Sequence, residues 1–229
     1  MRAVDLEQTL LIPAGRKELE GDLVVPADAF GLVLFAHGSG SSRKSPRNVL
    51  VAEALHERGL GTLLFDLLTP DEEQRDAETA HLRFDVPLLA GRLGAVTDWI
   101  QGRGAARGRM LGYFGASTGA AAALVAAARR PRTIRAVVSR GGRPDLARDA
   151  LERVQAPTLL IVGGADHAVL ELNEDALDRI PGAKQLAIIP GATHLFEEPG
   201  ALEEVARLAG DWFLDHLAAP AETRQHAHV

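Results

Sequence analysis

The run Gly115-Ala116-Ser117-Thr118-Gly119 sets a serine between two glycines, directly after the apolar stretch "MLGYF" and directly before the alanine-rich "AAAALVAAA". A serine hydroxyl is a weak nucleophile on its own. It becomes a useful one when a sharp strand-to-helix turn exposes it and a base takes its proton. Such a turn holds the serine at an unfavourable backbone angle and needs small residues two positions before and two after, so that strand and helix can approach closely. Gly115 and Gly119 supply them, and Ala120, Ala121 and Ala122 extend the close contact. A plain glycine-containing turn with a capping serine is the alternative on this motif alone.

The base and its orienting acid should follow in the order serine, acid, histidine. Downstream, "TLLIVGGAD" ends in Asp166 and "LAIIPGATH" ends in His194, each just past an apolar run that reads as a strand. Asp145, in "GGRPDLA", is a second candidate acid, but it also reads as a helix N-cap. His167 lies beside Asp166 in an extended segment, and His56 and His216 fall inside helical patterns. Asp66 follows a strand and suits a structural hydrogen bond.

Acyl transfer also needs donors for the oxyanion. One is expected to be the backbone N–H of Thr118. The other is expected from the small-residue loop "FAHGSGSSRKSPRN", with Ser39 as the donor. A phosphate-binding glycine loop would need G-x-x-x-x-G-K-[ST] or G-x-G-x-x-G spacing, and this loop has neither. Arg43 and Lys44 in the same loop, with Arg140 and Arg143 in "SRGGRPD", are expected to flank Ser117 as a basic rim. They read either as a subsite for anionic esters or as loop charges, solvated or paired with Asp145 and Glu198.

These residues must be positioned by elements that the chain spells out in alternation. Strand-like runs occupy 8–13, 19–26, 31–37, 61–67, 109–115, 134–139, 157–163 and 184–190. The middle and later runs are continuously apolar, as strands covered on both faces must be, so a parallel sheet is expected. The first two alternate and read as an antiparallel hairpin at one edge. Helical patterns lie between: one from Ser45 and Pro46 to Gly59, then about 80–101, 118–129, about 145–153, 168–179 and 199–218. The short space before the seventh strand leaves no room for a large lid, so an open, shallow site is expected.

The 229 residues carry a net charge of −6, with 46% apolar, 24% charged and 4% aromatic residues. That is ordinary globular composition, and it argues against nucleic acid as a partner. The absence of cysteine excludes disulfides, thiolate metal sites and a cysteine nucleophile. The histidines lack metal-ligand spacing, and the pattern calls for no metal and no cofactor. No apolar run is long enough to span a membrane, and acidic residues interrupt "MRAVDLEQTLLIPAG", so the chain reads as cytoplasmic with no membrane partner. One domain over 1–217 is expected, with a frayed polar tail at 218–229 containing His226 and His228.

Taken together, "HGSGSS", "GASTG", "GGADHAV" and "GATHLFEEPG" resemble the α/β-hydrolase superfamily, in particular its dienelactone-hydrolase-like branch. The run "HGSGSSRKSPRN" is similar to hydrolases of that branch that occur alone or beside a phosphoribosyltransferase-like domain. The resemblance implies an eight-stranded, mostly parallel sheet flanked by helices. It also implies a Ser117-His194-Asp166 triad with Ser39 and Thr118 as oxyanion donors, acting on a small-molecule ester. True dienelactone hydrolases use a cysteine nucleophile. Serine at 117 therefore favours an ordinary carboxylic ester, lactone or thioester. An amidase, peptidase or acyltransferase of the same fold, or a non-catalytic binding protein, stays open at this stage.

Overall fold

The computed structural model describes residues 4–218. The expected tail, with His226 and His228, lies outside the described residues apart from Ala218. All eight expected strands form: β1 (Val4–Ala14), β2 (Lys17–Pro26), β3 (Gly31–Ala36), β4 (Leu60–Phe65), β5 (Met110–Ala116), β6 (Ile134–Arg140), β7 (Thr158–Gly163) and β8 (Lys184–Ile189). They make one sheet in the order β1-β2-β4-β3-β5-β6-β7-β8. β1 and β2 form the antiparallel edge hairpin, β2 meets β4 antiparallel, and the remaining pairs are parallel.

The continuous apolar runs are explained by a helical layer on each face. On β3, Leu32 and Leu34 pack towards α3 (Val86–Gln101) and α4 (Thr118–Arg129). Val33 and Phe35 pack the other way, towards α1 (Pro46–Glu57) and α6 (Ala201–Leu217). Period-two alternation thus feeds two separate cores from one strand. β3 lies between β4 and β5, so the connections leaving β3 and β5 diverge, and a crevice opens at their carboxyl ends.

That crevice depends on how tightly α4 leaves β5. A Cβ added at Gly119 would lie 2.1 Å from the Ala36 carbonyl oxygen and 2.4 Å from that of His37. One at Gly115 would lie 2.5 Å from the Ala120 Cα. Ala120 to Ala123 on α4 are fully buried. The small residues read from the sequence are therefore a steric requirement of this one junction.

The structure differs from the sequence reading in two segments. The stretch expected as one helix from about 80 is interrupted. A polar helix, α2 (Pro70–Thr79), ends at Ala80 in the left-handed region, a 3-10 turn covers Leu82–Phe84, and α3 starts at Val86. Asp85 restarts the helix by accepting the Leu88 N–H at 3.0 Å. α2, "PDEEQRDAET", carries no apolar stripe, which is why periodicity missed it. The second segment, Pro144–Arg153, is 3-10 with a break at Arg148. Pro144, Ala147 and Ala150 are buried at three-residue spacing, which suits three residues per turn. α5 (His167–Arg179) follows β7 much as expected.

Gly119→Ala should destabilise the protein by about 3 kcal/mol or more, since the clash is with backbone and cannot relax through a rotamer. Urea denaturation followed by circular dichroism measures it. A midpoint unchanged from wild type would show that the junction has slack.

Candidate active site

Ser117 ends β5 and caps α4 with φ 50° and ψ −121°. A non-glycine residue held there stores on the order of 1–3 kcal/mol of strain. Its surroundings fix it: the Ser117 N–H donates to the Arg140 carbonyl at 3.2 Å, and its own carbonyl accepts from the Arg143 N–H at 3.1 Å. The side chain makes no capping bond to α4, so the hydroxyl is not spent on the helix. It stands at the positive end of a twelve-residue helix, where developing negative charge is favoured.

His194 and Asp166 meet across two loops. The His194 Nδ1–H donates to Asp166 Oδ2 at 2.7 Å. Asp166 is the N-cap residue of α5 but makes no side-chain cap bond, so its carboxylate faces the histidine instead. Bonding through Nδ1 leaves the Nε2 lone pair to accept a proton. The histidine loop is pinned from beyond the ring. Glu198 Oε1 accepts the Thr193 N–H at 3.0 Å and its hydroxyl at 2.6 Å, while Phe196, at φ 56°, is buried in the α1/α6 core. Gly141 follows Arg140 and lies under the ring: an added Cβ would come within 3.6 Å of His194 Cε1. The Arg140–Gly141 segment thus joins the serine and histidine sides.

The two expected oxyanion donors are brought together. The Ser39 N–H donates to Thr118 Oγ1 at 3.1 Å, and the Ser39 and Thr118 hydroxyls are also 3.1 Å apart. The Thr118 N–H lies in the first turn of α4, where no helical carbonyl precedes it. Before the loop, the buried His37 donates from Nδ1 to the Gly38 carbonyl and accepts the Leu67 N–H at Nε2, 3.0 Å each. Both ring nitrogens are committed to a neutral tautomer, and burial lowers the pKa of this ring below the usual histidine range.

Beside these residues lies a cavity of about 560 Å³. Its lining includes the polar Ser39, Ser41 and Thr118 and the apolar Leu67, Leu68 and Leu89. Its outer wall is α2, which sequence reasoning missed. Glu72 holds that wall: it accepts from Arg92 Nη2 at 2.7 Å and from the Thr69 N–H at 3.0 Å, while Arg92 Nη1 donates to the Leu67 carbonyl at 2.7 Å. Asp76 accepts the Leu82 N–H at 2.6 Å and Arg83 Nε at 2.5 Å. The Thr69-x-x-Glu72 pattern is a capping-box signature, and it was the available sequence signal.

The four cations expected on the rim separate into different roles. Arg43 is held by Glu20, Asp22 and Asp66, and its guanidinium is therefore already neutralised. Arg143 forms a bidentate pair with Asp145 at 2.8 and 2.7 Å, which also explains what Asp145 does. Lys44 is exposed, lines the cavity and lies 3.8 Å from Asp22. Arg140 is buried and is not on the rim at all. Among the described residues, no group of three or more His, Cys, Asp or Glu is placed to hold a metal ion, and no helix is long and apolar enough to cross a membrane.

Comparison with known proteins bears on this arrangement. A model of the dienelactone hydrolase family matches residues 21–217. A dienelactone hydrolase from Anabaena variabilis is 59% identical, covers 93% of this chain and 99% of its own, and superposes with a TM-score of 0.91. Est1E from Butyrivibrio proteoclasticus, 19% identical over 90% of this chain and 98% of its own, shares the fold with a TM-score of 0.76. A Mycobacterium tuberculosis protein with the provisional name phosphoribosyl transferase is 58% identical over 93% of this chain. The chain spans about half the length of the curated relatives it matches, 47% in that case.

The Glu72–Arg92 pair generates a pH prediction. Burial opposes the Glu72 charge, but Arg92 and the Thr69 amide outweigh it and hold the carboxyl at about 2, below its ordinary 4.5. A carboxyl depressed in the folded state contributes stability above its unfolded value and loses it as pH falls towards the folded one. Glu72→Gln should therefore cost about 3 kcal/mol at neutral pH, as breaking a buried pair does. The gap to wild type should close between about pH 4.5 and 2, as followed by urea titration at several pH values. A pH-independent gap would assign Glu72 a packing role only.

Proposed function

This chain belongs to the dienelactone hydrolase family, and on that premise we propose that it is a serine hydrolase of small carboxylic esters, lactones or thioesters. One observation carries this reading: the 2.7 Å bond between His194 Nδ1 and Asp166 Oδ2, at the same end of the sheet as a serine held at φ 50° on the turn into α4. The chain has no cysteine, so the side chain at the turn that can attack is the Ser117 hydroxyl.

In the proposed reaction, His194 Nε2 takes the Ser117 proton as Oγ attacks the ester carbonyl. Asp166 stabilises the imidazolium without itself becoming protonated. The oxyanion accepts from the Thr118 and Ser39 backbone N–H groups at the positive end of α4. Collapse expels the alcohol, which leaves with the proton from His194. Water then repeats the sequence on the acyl-serine and releases the acid. The cavity supports a small acyl or alcohol group, since its lining combines Leu67, Leu68 and Leu89 with the serine-rich loop. No partner beyond the small-molecule ester is proposed, and the chemistry needs no cofactor.

A fluorophosphonate probe should label Ser117. Ser117→Ala should keep the wild-type circular dichroism spectrum and lose at least about a thousandfold in kcat on a short-chain ester. Asp166→Asn should cost far more rate than Asp145→Asn, because Asp145 is bonded to Arg143 and Asp166 to the base. A folded Ser117→Ala variant with near-wild-type esterase activity would sink the reading, and the reverse ranking of the two aspartates would move the acid to the end of β6.

A further inference from the structure

Two cavities border the turn Leu82–Phe84, and they differ in character. Arg83 lines the cavity already described, while its neighbour Phe84 lines a second one, a groove of about 350 Å³. The buried residues of that groove's lining are all apolar: Val86 at the start of α3, Val125 on α4, and Ala147 and Ala150 in the 3-10 segment. Its charged lining residues, Arg129, Arg148, Asp149 and Arg153, are all exposed. The depth of the groove is therefore apolar, and its charge stays at the surface. Phe84, 52% exposed, adds an aromatic side chain that the ligand-free fold leaves in water. Arg148 breaks the 3-10 segment at φ 50°, and Arg179 Nη2 donates to its carbonyl at 3.1 Å, so this part of the lining is held rather than soft.

The groove begins beside Ser39 and Ser117. The Arg83 carbonyl accepts the Ser39 hydroxyl at 3.4 Å, which puts Phe84 one residue from a contact of Ser39. After β6, the Ser117 carbonyl accepts the Arg143 N–H and the Arg143 carbonyl accepts the Leu146 N–H, 3.1 Å each, and Leu146 lines the groove. From there the lining follows α4. Val125 and Ala128 stand eight and eleven residues beyond Ser117, roughly 12–17 Å along the axis at 1.5 Å per residue. The histidine loop leans the other way. Phe196, two residues after His194, is in the α1/α6 core, and Arg47, which lines the first cavity, donates to Glu197 at 3.2 Å. Val86, Val125, Ala147 and Ala150 belong to the core on the opposite face of the sheet.

We propose that this groove is an acyl-chain subsite: it takes an unbranched apolar acyl chain of medium length, and the first cavity is left to the alcohol. This rests on the hydrolase reading given above. An ester carries two arms that diverge from its carbonyl carbon, and the two cavities diverge from the neighbourhood of Ser39. The leaving alcohol must receive its proton from His194. That arm belongs on the histidine side, and the acyl arm points towards α4. An apolar chain gains by leaving water in proportion to the area it buries, and the groove asks it to satisfy no buried polar side chain.

The test is a chain-length series on the full chain: methyl acetate, butanoate, hexanoate and octanoate, each below its solubility limit. Beyond butanoate, kcat/KM should rise by up to about fourfold per added methylene, since shorter acyl groups end well before Val125. Methyl octanoate should outdo octyl acetate, which carries the same chain on the alcohol. Ala128→Phe, which fills the groove, should abolish the rise. Phe84→Ala, at an exposed position, should reduce it, and it stands in if the first variant does not fold. A second measurement needs no turnover. In Ser117→Ala, methyl octanoate should raise Tm and methyl acetate should not, and adding either groove substitution should diminish the shift. A flat or falling series, a preference for octyl acetate, or a rise that survives both substitutions overturns the acyl subsite while leaving hydrolysis intact. Absence of hydrolysis on every ester, with the groove-dependent Tm shift present, overturns the hydrolase reading and leaves the groove as an apolar-chain site. Absence of both overturns both.

Discussion

The contact on which the rest depends is the approach of α4 to the end of β3, where Gly119 leaves no room for a methyl group against the Ala36 and His37 carbonyls. This contact brings the turn after β5 and the loop after β3 into the same few ångströms. Its consequence is local strain, because a chain that must turn so sharply carries Ser117 through positive φ. The strain is tolerated because Ser117 is bonded on both its N–H and its carbonyl to the segment after β6. A rigid, over-determined turn is what exposes a small side chain reproducibly, and packing density in the α4 alanines supplies the rigidity.

Around this rigid centre, charge is used in two ways. Most of it is cancelled in place. Arg43 ties the loop after β3 to β2 and to Asp66, and Glu72 and Asp76 tie α2 to α3 and to the turn before it. These pairs hold loops that have little apolar surface of their own, which is where polar fixation substitutes for core packing. Arg140 is the exception, buried and uncompensated at the same end of the sheet. The contrast separates residues that shape the site from one whose charge has been left unmatched.

What was legible in the sequence follows the same physics. Eight strands could be read because parallel strands covered on both faces must be apolar throughout, and the edge hairpin because its exposed face alternates. Ser117, Asp166 and His194 could be read because each follows a strand that periodicity already located. α2 could not be read that way, since a helix held by Glu72 and Asp76 through ion pairs and amide bonds shows no hydrophobic stripe. The four cations expected on the rim separate for a related reason. Sequence proximity placed Arg43 and Arg143 near the serine; the pairing of a loop charge with Asp145 was legible and is found at Arg143, but the partners of Arg43, Glu20, Asp22 and Asp66, lie far off in the sequence on and beside other strands. Pairing is a tertiary property. Arg140 was included for its loop position, whereas what distinguishes it is burial, which strand alternation encodes only once β6 is known to extend to residue 140.

The Ser39–Thr118 contact joins these levels. In the ligand-free site the Ser39 N–H is not idle; it donates to Thr118 Oγ1 at 3.1 Å. For the proposed acyl transfer, the donor must pass from a neutral hydroxyl to a developing oxyanion. That exchange is downhill, because a hydrogen bond to a charged acceptor is roughly twice as strong as one to a neutral acceptor. It also needs little movement, since both residues are already fixed, Ser39 by its loop and Thr118 by the first turn of α4. A ground-state carbonyl oxygen, being neutral, competes with the hydroxyl on nearly equal terms. Giving up the hydroxyl costs substrate and transition state the same bond, so the differential lies in the acceptor: the donor gains more from the charged oxyanion than from the neutral carbonyl, and that difference is what lowers a barrier.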